Sequence, residues 1–235
     1  MKLKILGCSN SWTKRFTSCY LLNDNILLDC GADAYKAYMK LDKPLADIKL
    51  FLITHFHADH IFGLNIFLSR IQRSAKDLTE KVTIAGLKGI QKMCEFVFEA
   101  CNLFHFDFSE YINFIELDDG DSFKFENLQI TAHKLDHGDV EDLGFIISEN
   151  GKTIGYTGDT TYITKLDSFI KECDLCLVEV SRMQTNSKHM GIDSFLKLIS
   201  DHPNTNLKAV HCDEDVYNLP ILEPYIAHEN EEFEI

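Results

Sequence analysis

Proline and glycine are scarce in this sequence, with four prolines and 12 glycines among 235 residues. No segment has the proline, glycine or serine composition of a linker, and we find no low-complexity segment. Apolar residues make up 45% of the chain and include 17 phenylalanines, which is typical of a well-filled globular interior. The sequence therefore predicts a single domain over residues 1–235.

Long apolar runs are also missing. No run approaches the roughly 20 residues that a membrane-spanning helix needs, and the first residues, Met1–Gly7, lack the apolar core of a signal peptide. The eight cysteines do not form the short-spaced framework of a small secreted protein. Cys173 and Cys176 have the spacing of a redox or zinc pair, but no second pair stands beside them, and we interpret them as structural. We expect a cytoplasmic protein that has no membrane partner.

Basic residues are fewer than acidic ones: the chain has 23 lysines and arginines and 37 aspartates and glutamates, which gives a formal net charge of -14. A surface of this sign disfavours a purely electrostatic grip on the nucleic-acid backbone. A metal site would offset part of the acidity in the folded protein.

The most informative segment is His55-Phe56-His57-Ala58-Asp59-His60, which directly follows the apolar run Leu50–Ile53. A buried strand cannot hold three imidazoles and a carboxylate unless something satisfies them. In a loop at the end of the strand they can converge on a metal, and this ligand set suits zinc, manganese or iron. The alternative is a polar turn with incidental histidines, and the density of ligand-type side chains argues against it.

Four further apolar segments each end in a residue of a type that binds metals. These residues are Asp29, His137, Asp159 and His211. In a layered α/β fold the carboxyl ends of the strands gather along one edge, so such residues can meet there. The predicted strands form two groups with helices, such as Ile61–Ala75, between them. This pattern indicates two sheets packed face to face with helices outside.

Together these motifs resemble the metallo-β-lactamase-fold hydrolases. His55-x-His57-x-Asp59-His60 matches the signature of that superfamily, Thr157-Gly158-Asp159-Thr160 its later aspartate motif, and His211 its final histidine. The similarity runs from Leu3 to Ile235 and implies an α/β fold, a four-layer αββα sandwich, with two metals at one edge. The resemblance implies that His55, His57 and His137 hold one metal, that Asp59, His60 and His211 hold the other, and that Asp159 bridges them.

The metals implied are two divalent ions, with zinc expected and manganese or iron as alternatives. Two such ions roughly 3.5–4 Å apart can share a bridging hydroxide at neutral pH and stabilise the negative charge that develops during hydrolysis. Asp29 is a candidate for orienting the histidines, or else a turn residue. We prefer His137 to His133 as the third histidine, because His133 lies inside the predicted strand Leu128–Lys134.

The closest similarity in motif style is to the ribonuclease Z and cyclic-nucleotide phosphodiesterase branch. In that branch a glutamate at a strand end and a later histidine assist the reaction, and here they correspond to Glu179 and His189. His189 would donate a proton to the leaving alkoxide while Glu179 orients it. A helix-capping role for His189 and a solvated strand end for Glu179 are the alternatives. The predicted catalytic residues are thus Asp59, Asp159, His189 and Glu179.

The predicted substrate is a small or short phosphodiester, such as a cyclic nucleotide. His137 and Asp159 are only 22 positions apart, which leaves no room for the long tRNA-gripping arm of many ribonuclease Z proteins. The acidic balance also argues against tRNA as a partner. Two alternatives stay open on the same fold: a lactone or thioester hydrolase, and a di-iron redox or oxygen-binding protein. Proteins of the second kind usually carry glutamate where this chain has His57.

The loop after the first strand carries Trp12 and the pair Lys14-Arg15, near the edge where the site is expected. We interpret it as a surface loop, with contact to a substrate phosphate as the alternative. The helical segments Ile61–Ile71 and Met93–Phe98 are predicted to be core, and the resemblance adds a homodimer formed through such surfaces.

Overall fold

Two mixed β-sheets and the helices that cover them make up the computed structural model, which describes residues 1–73, 80–100 and 107–235. The strands of this part of the chain are β1 (Lys2–Gly7), β2 (Cys19–Leu22), β3 (Ile26–Leu28), β4 (Leu50–Ile53), β5 (Val82–Leu87), β6 (Ile112–Leu117), β7 (Ser122–Phe125), β8 (Leu128–His137), β9 (Val140–Glu149), β10 (Lys152–Tyr156), β11 (Leu175–Glu179), β12 (Asn206–Val210) and β13 (Glu232–Glu234). The helices are α1 (Ala34–Met39), α2 (Ala58–Ile61), α3 (Leu64–Arg73), α4 (Ile90–Ala100), α5 (Phe108–Tyr111), α6 (Lys165–Lys171), α7 (Ile192–Asp201) and α8 (Glu214–Tyr217), with a 3₁₀ turn at Leu45–Asp47.

The first sheet has the spatial order β13-β1-β2-β3-β4-β5-β6, and the second has the order β12-β11-β10-β9-β8-β7. Strands β3 to β6 run parallel. In β4 all four side chains are buried, as expected for a central parallel strand that is covered on both faces. In the second sheet β10, β11 and β12 are parallel, so their carboxyl ends meet at one edge.

Three apolar clusters show how the layers pack. One lies between the sheets and joins Leu28 and Leu52 of the first to Phe145 and Tyr156 of the second. Another packs the outer face of the first sheet against α1, α3 and α4, and a third packs the second sheet against α6 and α7. The order helix, sheet, sheet, helix is the predicted αββα sandwich, and the fold class is confirmed.

Some element boundaries differ from the prediction. Helical spacing over residues 61–75 becomes two helices, α2 and α3, because Gly63 lies against Gly31, where an added Cβ would be 2.0 Å from the Gly31 carbonyl oxygen. Residues 74 and 75 lie outside the described residues. Strand β8 continues to His137 because it pairs with β9 as far as Val140. Strand β6 was not predicted.

The ends of β3, β4, β8, β10, β11 and β12 deliver the predicted site residues to one edge of the two sheets. Among the described residues, no helix is both long enough and apolar enough to cross a bilayer.

Candidate metal centre

The histidine segment changes direction twice within six residues. Strand β4 ends at Ile53, His57 is extended (φ -67°, ψ 150°), and α2 begins at Ala58. His55 and His60 are buried, whereas His57 is exposed. The rings of His55 and His60 lie 4.1 Å apart between centroids. The turn therefore keeps these side chains close together but directs His55 and His57 to one group of ligand-type residues and Asp59 and His60 to another.

The first group comprises His55, His57, His137 and Asp159, whose nearest ligand atoms lie within 4.8 Å of one another. His137 Nε2 is 3.3 Å from His57 Nδ1 and 3.9 Å from Asp159 Oδ2. His133, the rejected alternative, is half-buried beside Phe169, with the ring centroids 5.4 Å apart. The structure thus brings His137 into the cluster and leaves His133 outside it.

The second group comprises Asp59, His60 and His211, which meet the same 4.8 Å criterion. His211 Nε2 is 3.3 Å from Asp59 Oδ2, and His60 Nε2 is 3.3 Å from Asp159 Oδ1. The two oxygens of Asp159 therefore face different groups, Oδ2 the first and Oδ1 the second. Asp159 is placed where a carboxylate could bridge two ions.

Glu179 and His189 lie beside both groups, with the His189 ring centroid 4.9 Å from that of His137 and 6.1 Å from that of His211. His189 Nδ1 is 2.5 Å from Glu179 Oε1, and Glu179 Oε2 accepts a hydrogen bond from the Thr160 amide. Ser181 donates to Glu179 and lies 3.0 Å from His211 Nδ1. Glu179 is fully buried, so it is not the solvated strand end of the alternative interpretation.

Two buried aspartates hold the histidine rings from behind. Asp29 accepts from His60 Nδ1 at 2.6 Å, from the Tyr156 hydroxyl at 2.6 Å and from the Thr54 amide at 2.8 Å. It adopts a left-handed backbone conformation with φ 54°. This arrangement supports the orienting role predicted for Asp29, because a carboxylate on the outer ring nitrogen fixes the tautomer and direction of the imidazole.

Asp142 has the equivalent place behind His55, and the sequence interpretation missed it. Its Oδ2 atom is 2.8 Å from His55 Nδ1 and 3.2 Å from the Asp159 amide. The available signal was a carboxylate directly before the apolar segment Leu143–Ile147. Only the packing of the two sheets, which bonds the Leu143 amide to the Thr54 carbonyl, shows that this carboxylate faces His55.

Three buried polar atoms point to a cation. His55 Nε2, His60 Nε2 and Asp159 Oδ1 are buried and form no hydrogen bond with any described residue. Buried polar atoms without partners are costly, and these three converge with carboxylate oxygens and further imidazole nitrogens. Nitrogen and oxygen donors of this kind bind divalent transition metals. The cluster therefore fits a metal site.

The two groups differ in electrostatics. Burial, together with the charge of His60, lowers the pKa of His55 well below its usual value. Burial and the neighbouring His137 also lower the pKa of His57. In the second group burial is outweighed: the carboxylates of Asp159 and Asp29 raise the pKa of His60, and Asp159 and Asp59 raise the pKa of His211 to about 10.

The pKa values of the three carboxylates depend on whether burial or the neighbouring histidines have the larger effect. Burial would raise the pKa of Asp159, but His211 and His60 hold it well below its usual value. Burial would likewise raise the pKa of Asp59, and its hydrogen bond with His211 lowers it instead. For Asp142 burial prevails, and with Asp159 nearby it raises the pKa well above the usual value.

A cavity of about 300 Å³ opens over the cluster. His57, Asp59, Asp159, His189 and His211 line one part of it. Its other wall is formed by residues that sequence analysis did not assign to the site, among them Asn10 and Arg182, together with Trp12.

Lys14 and Arg15, the basic residues of the Trp12 loop, do not line this cavity. The Arg15 guanidinium lies 3.5 Å from the Tyr217 ring centroid and pairs with Glu214. Away from the site, Cys173 and Cys176 are buried free thiols within the apolar cluster of the second sheet, as the structural interpretation predicted.

Comparison with known proteins identifies the family. Residues 1–219 match the family described as Anti-Pycsar protein Apyc1. The chain belongs to this family.

Similarity to individual proteins is more distant. The Apyc1-family chain is 36% identical to ribonuclease Z of Listeria monocytogenes serotype 4b over 126 residues, which are 54% of this chain and 39% of that protein. The chain thus matches well under half the length of this relative. The structure of YhfI from Bacillus subtilis, a metallo-β-lactamase-fold protein, has a TM-score of 0.80 at 18% identity and covers 99% of this chain and 98% of its own.

Human tRNase Z, short form, has a TM-score of 0.78 at 20% identity, covering 100% of this chain and 99% of that one. At these identities the structural likeness establishes the fold, which is the metallo-β-lactamase fold that the motifs predicted.

Proposed function

We propose that this Apyc1-family protein is a metal-dependent hydrolase that cleaves a small phosphodiester, such as a cyclic nucleotide, with two divalent ions. The observation that carries the proposal is the shared carboxylate of Asp159, whose two oxygens face two separate groups of ligand-type side chains. The ligands proposed for the two ions are His55, His57, Asp59, His60, His137, Asp159 and His211.

Zinc is the proposed metal, since imidazole nitrogen and carboxylate oxygen form its common catalytic ligand set. Bound ions would supply Lewis acidity, activating water and stabilising negative charge on the phosphoryl group. The protein's own residues hold the ligands in place: Asp29 fixes His60, and Asp142 fixes His55. These contacts leave Nε2 of each ring directed at the cluster.

His189 is the proposed proton donor to the leaving alkoxide. Its Nδ1 atom is held by the buried Glu179 carboxylate, and the ring lines the cavity. A carboxylate on Nδ1 orients the ring and leaves the opposite ring nitrogen to donate a proton to the substrate. Glu179 is a positioning residue, because it acts through His189 and through Ser181.

The size of the cavity and the short connection between His137 and Asp159 support a small substrate. That connection consists of the two strands β9 and β10 and tight turns, with no inserted arm. The name of the ribonuclease Z relatives favours an RNA substrate instead, but the match covers only 39% of the Listeria protein. We retain the prediction that tRNA is not a substrate and make it one arm of the test.

The test joins metal content to activity. The purified protein and the variants Asp159→Ala, His211→Ala and His133→Gln are analysed by plasma emission spectroscopy and assayed with 3′,5′-cyclic nucleotides, a lactone and precursor tRNA. We expect about two zinc ions per chain and cyclic-nucleotide hydrolysis, both reduced in the first two variants and unchanged in His133→Gln, which lies off the cluster.

Three results would overturn the proposal. Turnover of the lactone alone would indicate the carboxylic-ester alternative. Efficient 3′-end cleavage of precursor tRNA would establish the larger substrate. Two irons, with an absorption band that responds to oxygen and no ester hydrolysis, would indicate the redox alternative.

A homodimer and a single domain over residues 1–235 also stay as proposals. On α3 and α4 the side chains of Ile66 and Phe96 are 44% and 63% exposed, which suits a contact between copies of the chain. Sedimentation of the purified protein at several concentrations tests the dimer.

A further inference from the structure

The wall of the cavity opposite the histidines contains the most exposed large apolar side chain of the described residues. Trp12 is 86% exposed, and it lines the cavity together with Asn10 and Ser11. A fully hydrated indole next to a polar site is unusual, because aromatic side chains gain free energy when another apolar surface covers them. The Trp12 ring does not pack in any of the three apolar clusters of the described residues.

The segment that carries Trp12 is firmly attached to the site. The Trp12 amide donates to Asn10 Oδ1 at 2.9 Å, and the Ser11 amide donates to Asp59 Oδ2 at 3.2 Å. Thr13 donates to the Ser9 hydroxyl at 2.7 Å. Because these bonds lie on both sides of Trp12, the backbone that presents the indole has a fixed position relative to Asp59.

Arg182 stands on the same wall and is connected to Trp12 through one carboxylate. Asp213 accepts hydrogen bonds from both Arg182 Nη1 and Asn10 Nδ2. The Arg182 amide donates to the Met190 carbonyl oxygen, and the Ile192 amide donates to the Arg182 carbonyl oxygen. The Arg182 backbone is therefore bound to the residues that follow His189. Among the described residues that line the cavity, only Arg182 is a lysine or arginine. Asp213 engages one nitrogen of the guanidinium and leaves other N–H groups for a ligand.

We propose that Trp12 and Arg182 form the subsite that recognises the substrate, with a nucleobase stacked on the Trp12 indole and a non-bridging phosphate oxygen bonded to the Arg182 guanidinium. The proposal rests on the phosphodiesterase function proposed above and deepens it by naming the residues that hold the base and the phosphate. Every base has a π-face, so an indole accepts any of them. Guanidinium donors form short, charge-assisted bonds to phosphate.

The indole offers a direct readout that needs no catalysis, because Trp12 is the single tryptophan of the sequence. The purified protein is titrated with the four common ribonucleoside 5′-monophosphates and, as a base-free control, with ribose 5-phosphate. We expect saturable quenching of tryptophan fluorescence by at least one nucleotide and none by ribose 5-phosphate. Equal quenching by both kinds of ligand, or quenching by neither, would overturn the stacking role.

Kinetic variants separate the two residues. Cyclic nucleotides are compared with 1-O-methylribose 3,5-cyclic phosphate, which has the same reacting group and no base. Trp12→Ala should lower kcat/KM for the nucleotide about tenfold to a hundredfold, mainly through KM, and leave the base-free substrate unchanged. Trp12→Phe should retain most of the activity, because it keeps an aromatic face. Ile221→Ala, an exposed side chain that does not line the cavity, serves as the control.

Arg182 should behave differently, since phosphate is common to both substrates. Arg182→Ala is expected to raise KM for both of them, and Arg182→Lys to restore part of the loss. An effect of Trp12→Ala that is equal on both substrates, or an effect of Arg182→Ala confined to one of them, would contradict the assignment.

The two proposals fail in different ways. Absence of phosphodiester hydrolysis with saturable nucleotide quenching would overturn the enzymatic function and support the subsite. Metal-dependent hydrolysis without quenching, and without discrimination by Trp12→Ala, would support the function and overturn the subsite.

Discussion

The two ligand groups at the metal centre share Asp159 but are built differently. In the first group His57 is exposed, and His137 donates its Nδ1 proton to the backbone oxygen of Lys188 at 2.9 Å. In the second group His60 is held by the buried Asp29, and His211 by Ser181, which is itself bonded to Glu179. One group includes an exposed histidine and is supported in part by a backbone carbonyl, whereas both histidines of the other are buried and held by side chains.

The difference in support gives the groups opposite electrostatic character. Burial without sufficient negative charge lowers the pKa of His55 and His57, so these two imidazoles are neutral at pH 7. Surrounding carboxylates raise the pKa of His60 and His211, so the second group holds protons that a cation must displace. The comparison teaches that one edge of a fold can present two sites of similar composition and different readiness for metal.

The largest effect is expected at the residue that the groups share. Asp159→Asn removes a charge that faces both groups, so we expect hydrolysis to fall below detection and at least one of two proposed ions to be lost. Plasma emission spectroscopy and a cyclic-nucleotide assay measure the two outcomes. Retention of both ions with full activity would show that the groups do not depend on their common carboxylate.

His189 tests whether proton donation depends on the ring that Glu179 holds beside both groups. His189→Ala should lower kcat by about 10²- to 10⁴-fold, the range of general-acid catalysis, with metal content unchanged. A substrate with a p-nitrophenolate leaving group needs no proton and should lose much less. Glu179→Gln should follow the same pattern and also alter the alkaline limb of the pH–rate profile, where the proton donor loses its proton, which a merely structural role would not do. Equal losses on both substrates would contradict proton donation.

The supporting aspartates allow the two groups to be weakened separately. Asp29→Asn and Asp142→Asn should each reduce metal affinity or activity by about 10- to 100-fold, as is typical of residues behind metal ligands. Asp29→Asn should also lower thermal stability more, because Asp29 serves His60, Tyr156 and Thr54. Asp139→Asn is the matched control, since Asp139 is exposed and pairs with Lys188. Metal titration and thermal unfolding measure these effects. Equal behaviour of all three variants would show that Asp29 and Asp142 do not support the metal ligands.

The raised pKa values of His60 and His211 predict a pH-dependent second ion. An imidazole with a raised pKa stays protonated at neutral pH, and protons compete with metal. The competition weakens as the pH rises toward about 10, the pKa of His211 in the metal-free protein. We expect one zinc ion to bind at pH 6 and the second to bind more tightly at pH 8, with proton release detectable by calorimetry in two buffers. Two ions of equal affinity at both pH values would argue against the electrostatic contrast.

The smallest effect is expected at His133, which has no place in either group. Burial, together with the charge of Lys165, lowers the pKa of His133 below its usual value. Protonation therefore favours the unfolded chain, and the destabilisation appears as the pH falls below the unfolded value of about 6.5. His133→Gln should keep metal content and activity, and its stability relative to the parent should rise between pH 7.5 and pH 5 in urea unfolding.

Much of the candidate centre could be predicted because each of its residues follows an apolar segment. The signature from His55 to His60, and the isolated Asp29, Asp159 and His211, all stand at strand ends, and strand ends in this architecture share an edge. Asp142 could not be found in this way. It lies near the start of β9, and its place behind His55 depends on the register with β8 and on the packing of the two sheets.

The sequence by itself determined the fold class, the identity of the clustered histidines and aspartates, and the choice of His137 over His133, because strand periodicity, ligand spacing and the motifs that carry the family resemblance are local properties. The tertiary structure decided which carboxylate supports each ring and where Trp12 and Arg182 stand relative to Asp159. Those relations join residues up to 203 positions apart, as in the bond from Asn10 to Asp213. They depend on sheet register and layer packing, which no local pattern encodes.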